Sequence, residues 1–148
     1  MTEREYSFRF AERCLYEYQE NVARLATLRQ KLAALDASTS AHVQSFEPGH
    51  AASHGDPVAI RVLKRESLEE EISRLSRRTE PITRLMADLE APYVLEGSPK
   101  YEMAKVARLY YFGKSGKGQT ADKMSVSRSS LYRRRKELIR MTIFYLGL

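Results

Sequence analysis

The sequence predicts an all-α protein, with a coiled-coil helical hairpin over residues 1–92 and a smaller helical domain over residues 93–148. Three observations predict it. Apolar residues recur at alternating three- and four-residue steps along two long stretches, the pattern of helices that pack on a partner helix. Pro and Gly gather between those stretches and again after them, where a chain turns. No strand-rich, parallel-sheet pattern occurs anywhere in the chain.

The first helix opens at Thr2, whose hydroxyl and the Glu5 carboxylate three residues later form a capping-box pair. No Pro or Gly interrupts the run to about Asp36. Its seam is Ala11, Cys14, Tyr18, Asn21, Leu25, Leu28, Leu32 and Leu35. Asn21 is the strongly polar member. An Asn there either fixes the register of a two-helix seam or sits at its exposed edge. Residues 37–57 are small and polar, with two Pro and two Gly, and read as a long loop. All three histidines fall in it: His42, His50 and His54. Pro48, Gly49 and Gly55 stand against a helix that would hold His50 and His54 on a metal, so no metal is expected.

Asp56 as N-cap and Pro57 in the first turn open the second helix. Its seam is Leu68, Ile72, Leu75, Thr79, Ile82, Met86 and Leu89. Pro81 lies inside, yet the rhythm passes through it without a phase shift. One kinked helix is therefore expected, not two. The expected coiled-coil interface joins Leu25, Leu28, Leu32 and Leu35 to Leu68, Ile72 and Leu75, as an antiparallel hairpin or as a homodimer built from it. Residues 90–100 carry two Pro and one Gly, and a domain boundary is expected there.

Charge divides the chain as well. Residues 100–148 hold twelve Lys and Arg against Glu102, Asp122 and Glu137, within a chain of net charge +6. The front is therefore mildly acidic and the back strongly basic, which points to an acidic partner for the back. The lone Cys14 excludes an internal disulfide and suits a reducing compartment. Glu3, Arg4 and Glu5 break up any apolar run at the start, so no secretory leader is expected there. No apolar stretch approaches a membrane span, so a cytoplasmic protein without a membrane partner is expected.

Residues 113–120, Gly-Lys-Ser-Gly-Lys-Gly-Gln-Thr, come close to a nucleotide-binding phosphate loop. That loop follows a strand and places Lys directly after its last Gly. Here a predicted helix, residues 101–112, comes first. Met103, Val106, Ala107 and Tyr110 share its apolar face, and Gly113 ends it. Gln119 stands where the Lys would be, so no nucleotide cofactor is expected. Lys114 and Lys117, with Gln119 and Thr120 at the next helix start, are instead candidates to meet nucleic-acid phosphates.

The last stretch carries the most specific pattern. A helix-turn-helix needs a small residue where its helices cross, and Ala121 supplies it. Met124, Val126 and Leu131 fall at the offsets that plug the angle, and Ser127 caps the second helix. Ser125 stands where Gly is usual. Within the recognition helix, about residues 127–141, Leu131 and Leu138 face inward, with the stem of Arg135 near them. Ser129, Tyr132, Arg133 and Lys136 face outward, and Arg128 lies at the edge. Double-stranded DNA is the partner this face suits: Arg128, Ser129, Tyr132 and Arg133 as base contacts, Ser127 and Lys136 as phosphate contacts. The closing apolar run, residues 141–148, is expected to pack on the helix of residues 101–112.

The Leu-Tyr-Tyr-Phe-Gly of residues 109–113 and the run from Thr120 to Leu138 resemble the small phage and prophage transcription activators of the RinA/ArpU type. Residues 1–92 match them only in style. The resemblance implies a sigma-factor-like helix-turn-helix that activates late, packaging or lysis genes, with RNA polymerase as a further partner. By position it sets Ser127, Arg128, Ser129, Tyr132 and Arg133 on the recognition helix. Two alternatives stand beside the regulator: a small terminase subunit recognising packaging-site DNA, and a polymerase-binding protein. An enzyme is not expected, since no carboxylate pair or metal spacing sits on rigid structure.

Overall fold

The computed structural model describes residues 1–44 and 56–148, with side chains described for 1–38 and 56–148. Within these the protein is all-α. The elements are α1 Glu3–Gln44, α2 Pro57–Leu89, α3 Pro99–Val106, a π-helical continuation Ala107–Phe112, α4 Lys117–Met124 and α5 Arg128–Leu146. Helix starts follow local chemistry. The Thr2 amide donates to Glu5 Oε2 at 2.9 Å, and the Glu5 amide donates to Thr2 Oγ1 at 3.2 Å. The Val58 amide donates to Asp56 Oδ1 at 3.0 Å, with Pro57 first in its helix. Ser98 caps α3 by accepting from the Tyr101 amide, ahead of Pro99. α2 runs unbroken through Pro81, as its seam predicts.

Two expectations need correction. The loop expected over 37–57 begins later, because α1 runs on to Gln44. Ala37 and Ala41 are good helix formers, and nothing before Pro48 forbids the helix. Residues 45–55, with His50 and His54, and the His42 side chain lie outside the described residues. The boundary expected at residue 92 is also displaced. The two compact units are Met1–Glu20 with Arg77–Leu148, and Asn21–Ser76. The basic C-terminal residues share one core with the ends of α1 and α2, so residues 93–148 are not separate.

In the Asn21–Ser76 unit, α1 and α2 run antiparallel, with Arg24 paired to Glu71 and Arg65 to Asp36. Leu25, Leu28 and Leu75 are buried together, and Leu68 and Ile72 pack on them. Leu32 and Leu35 are half-buried. This interface is covered within a single chain. Asn21 is half-buried, and its amide nitrogen is fully enclosed with no hydrogen-bond partner among the described residues. An enclosed donor left unpaired is destabilising.

The other unit is built on a core of Ala11, Cys14, Leu15, Ile82, Leu85 and Leu89, continuous with Val106, Tyr111, Leu138 and Ile139. Leu15 and Leu85 are fully buried although neither belongs to the predicted seams. They face a third layer, α3 to α5, which widens the apolar stripe. The rings of Tyr16, Tyr110 and Tyr111 form a cluster with centroid separations of 4.8–5.8 Å. Within it the Tyr16 hydroxyl donates to Tyr110 at 2.8 Å. The π-helical turn ends at Gly113, whose amide donates to the Arg108 carbonyl at 2.9 Å. A Cβ at Gly113 would lie 3.0 Å from the Arg108 and Leu109 carbonyl oxygens. Close approach, not positive φ, selects this glycine. α5 packs on α3, and Met141, Ile143, Tyr145 and Leu146 lie against the core while Phe144 stays exposed.

The turn between α4 and α5 is short. Ser125 adopts φ 56° and ψ 42°, the left-handed conformation usually given to Gly. Its amide donates to Asp122 and the Val126 amide to Ala121, which closes α4.

Asn21→Leu should raise stability by about 1–2 kcal/mol in urea unfolding, because it removes an enclosed unpaired donor. A loss of stability would show that the amide is needed in place. Ser125→Gly should add about 0.5–1 kcal/mol by relieving the left-handed backbone, less the entropy Gly loses on folding. Unchanged or lower stability would count against that strain. Burial raises the Cys14 thiol from an ordinary 9.0 to about 11. The folded state thus holds a proton that the unfolded state releases. Stability from this source is complete below pH 9 and fades as the pH climbs to about 11. The melting temperature of the wild type should therefore fall more steeply over that window than that of Cys14→Ala. Parallel curves would refute the assignment.

Candidate nucleic-acid interface

α5 begins at Arg128 because Ser127 caps it. The Ser130 amide donates to Ser127 Oγ at 3.1 Å, and that hydroxyl donates to Ser130 Oγ at 3.0 Å. The helix then sorts its side chains by angle. Leu131, Leu138, Ile139 and Thr142 are buried, and the Thr142 hydroxyl donates to the Leu138 carbonyl at 2.8 Å. Ala121 of α4 is buried against this side, with Met124 and Val126 packed around it.

The four consecutive cations Arg133–Lys136 divide between two faces. Arg134 Nη1 lies 2.8 Å from Glu137, its Nε donates to Glu102, and its side chain is only 16% exposed. Arg135 donates from Nε to Glu12 at 3.0 Å and to the Tyr111 hydroxyl at 3.1 Å. Its guanidinium lies 5.2 Å from the Tyr110 ring centroid. Burial works against the Arg135 charge, but the bonds to Glu12 and Tyr111 outweigh it and hold its pKa above the ordinary arginine value. Burial also pushes the Tyr111 phenol far up, so it stays a neutral donor to Glu12, at 2.9 Å.

Arg133 and Lys136 are left for the outer face, with Ser129 and Tyr132. Ser129, Tyr132 and Arg133 are exposed, and Lys136 is half-buried. The Lys136 ammonium lies 4.5 Å from the Tyr132 ring centroid, which holds both side chains as one ledge. Arg128 is exposed too, but its guanidinium lies over the first turn of α4, 3.5 Å from where a Cβ on Gly118 would stand. A cleft of about 220 Å³ opens there, lined by Tyr110, Lys117, Arg128, Leu131, Tyr132 and Arg135. Among the described residues, Lys117, Arg128, Arg133 and Lys136 make no ion pair with a carboxylate.

Two expected phosphate contacts do not stand on this surface. Thr120 is fully buried and its hydroxyl donates to the Gly116 carbonyl at 2.9 Å. Helix α4 starts at Lys117, so Thr120 lies one turn in, on its buried side. Lys114 has φ 54°, and its ammonium donates to the Tyr16 carbonyl and lies 5.1 Å from the Tyr16 ring centroid. It serves to anchor the turn. Lys117 and Gln119 are exposed on α4, and Ser127 is exposed at the cap.

Sequence reasoning missed Glu12, Glu102 and Tyr111, which neutralise or hold the inward arginines. Glu12 and Arg135 stand 123 residues apart, and no local pattern links them. The Tyr132–Lys136 pair has i,i+4 spacing and was findable. Among the described residues no group of three His, Cys, Asp or Glu side chains could hold a metal ion, and no helix is long and apolar enough to cross a membrane. Compared with protein-family models, with curated proteins and with solved structures, the chain matches none.

Proposed function

We propose that the chain is a sequence-specific, double-stranded DNA-binding regulator of transcription, with the outer face of α5 in the major groove. One observation carries this reading. Arg134 and Arg135 are matched by Glu102, Glu137 and Glu12, whereas Arg133, Lys136, Arg128 and Lys117 keep their charge for a partner. Helix periodicity turns two of the four cations inward; what supports DNA is that the cations left outside meet no carboxylate of the described residues. Phosphate groups would meet Lys117, Gln119, Ser127 and Lys136, and base edges would meet Arg133, Ser129 and Tyr132. Arg128, lying over α4, sits where it can bridge a phosphate to the base-reading face. The RinA/ArpU resemblance extends the proposal to activation of phage or prophage genes in the bacterial cytoplasm. On this reading the protein acts by binding, without catalysis or a cofactor.

The test begins with duplexes selected from a random library by the wild-type protein. Arg133→Ala should weaken binding to the selected duplex by about tenfold or more, the worth of one good base contact at ~1–3 kcal/mol. It should weaken binding to unselected duplex by only about two- to threefold, as one lost charge would. Equal loss on both would make α5 a general clamp and defeat base reading. Failure of the selection to enrich any sequence would defeat the specific regulator outright.

A further inference from the structure

A second concave surface lies apart from the α5 face. It is a groove of about 600 Å³ between the loop after α2 and the helices α3 and α4. It shares no lining residue with the cleft at Arg128. Pro92, Val94 and Leu109 contribute apolar surface over the buried Leu89, and Lys105, Arg108 and Lys123 contribute charge. Glu90 is the carboxylate in the lining, and it is already occupied: Arg108 Nε donates to it at 3.2 Å, and a second guanidinium nitrogen does the same. Among the described residues, Lys105 and Lys123 pair with no carboxylate. The Lys105 ammonium lies 4.8 Å from the Tyr101 ring centroid, which holds it at the rim. On the same loop, Tyr93 and Leu95 stand more than 70% exposed.

We propose that this groove docks a segment of a partner protein that carries apolar side chains flanked by carboxylates. The mixture of walls decides the class. A nucleic-acid backbone would use the lysines but gain nothing from an apolar floor. A purely apolar segment would leave Lys105 and Lys123 unpaired beside it. An acidic segment with apolar anchors satisfies both, and charge complementarity gives it preference over neutral competitors. With DNA on α5, the groove would let the chain hold DNA and a protein at once.

The probe is a synthetic helix-forming peptide with Leu at i, i+3, i+4 and i+7 and Glu at the exposed positions. Two controls accompany it: the same peptide with Gln for every Glu, and an unselected duplex. Amide chemical-shift mapping on the full chain should place the Glu peptide at Val94, Lys105, Leu109 and Lys123. The Gln peptide, and the Glu peptide on the variant K105E/K123E, should each bind about fivefold or more weakly. Val94→Ser, which keeps every charge, should weaken the Glu peptide as well. The proposal is overturned by equal affinity for Glu and Gln peptides, or by shifts centred on Ser129 and Arg133. It also fails if unselected duplex displaces the peptide from the groove, since the surface would then belong to nucleic acid. If K105E/K123E loses helicity, the comparison of Glu and Gln peptides on the wild type still decides.

Discussion

Four consecutive cations on one helix cannot all face water. At about 100° per residue, Arg133 to Lys136 sweep a full turn, so two of them must meet the protein. A half-buried guanidinium without a partner is costly, and a paired one is tolerated. The inward pair therefore needs carboxylates, and these come from α1 through Glu12, from α3 through Glu102, and from α5 itself through Glu137. Most of what surrounds α5 in this unit follows from that need. Tyr111 stays protonated to bridge Glu12 and Arg135, and Tyr16 and Tyr110 close the aromatic wall around them.

That constraint also explains why the basic end is not an independent domain. Its helix α5 is oriented by an acid near the start of the chain, and its core continues into the ends of α1 and α2. A segment of about 55 residues buries little surface alone, and a shared core relieves that shortage. The π-helical turn before Gly113 belongs to the same arrangement. It brings Tyr110 and Tyr111 together into the core and leaves Arg108 outside, on Glu90. The result is a unit with two faces of different chemistry: unpaired cations and a hydroxyl ledge on α5, and an apolar groove with a basic rim beside α3.

The sequence by itself determined the all-α class, the starts of α1, α2 and α5, and the inward and outward faces of α5. Capping is a contact over three residues, and helical facing is a periodicity, so Thr2 with Glu5, Asp56 with Pro57, and Ser127 are all read locally. Leu131 and Leu138 inside, with Ser129, Tyr132 and Arg133 outside, follow from the same spacing. Even the left-handed turn at Ser125 was legible, because a fixed offset from Ala121 demands it. Only the tertiary structure decided which cations remain without a carboxylate. Lys114 is taken by a carbonyl 98 residues away, Arg135 by Glu12, and Thr120 faces inward because α4 begins at Lys117. It also decided where the cores divide, since Leu15 and Leu85 fill a third layer that no two-helix seam contains. The physical reason is range: periodicity and capping act within a turn or two of helix, whereas charge pairing and core sharing act between residues that only folding brings together.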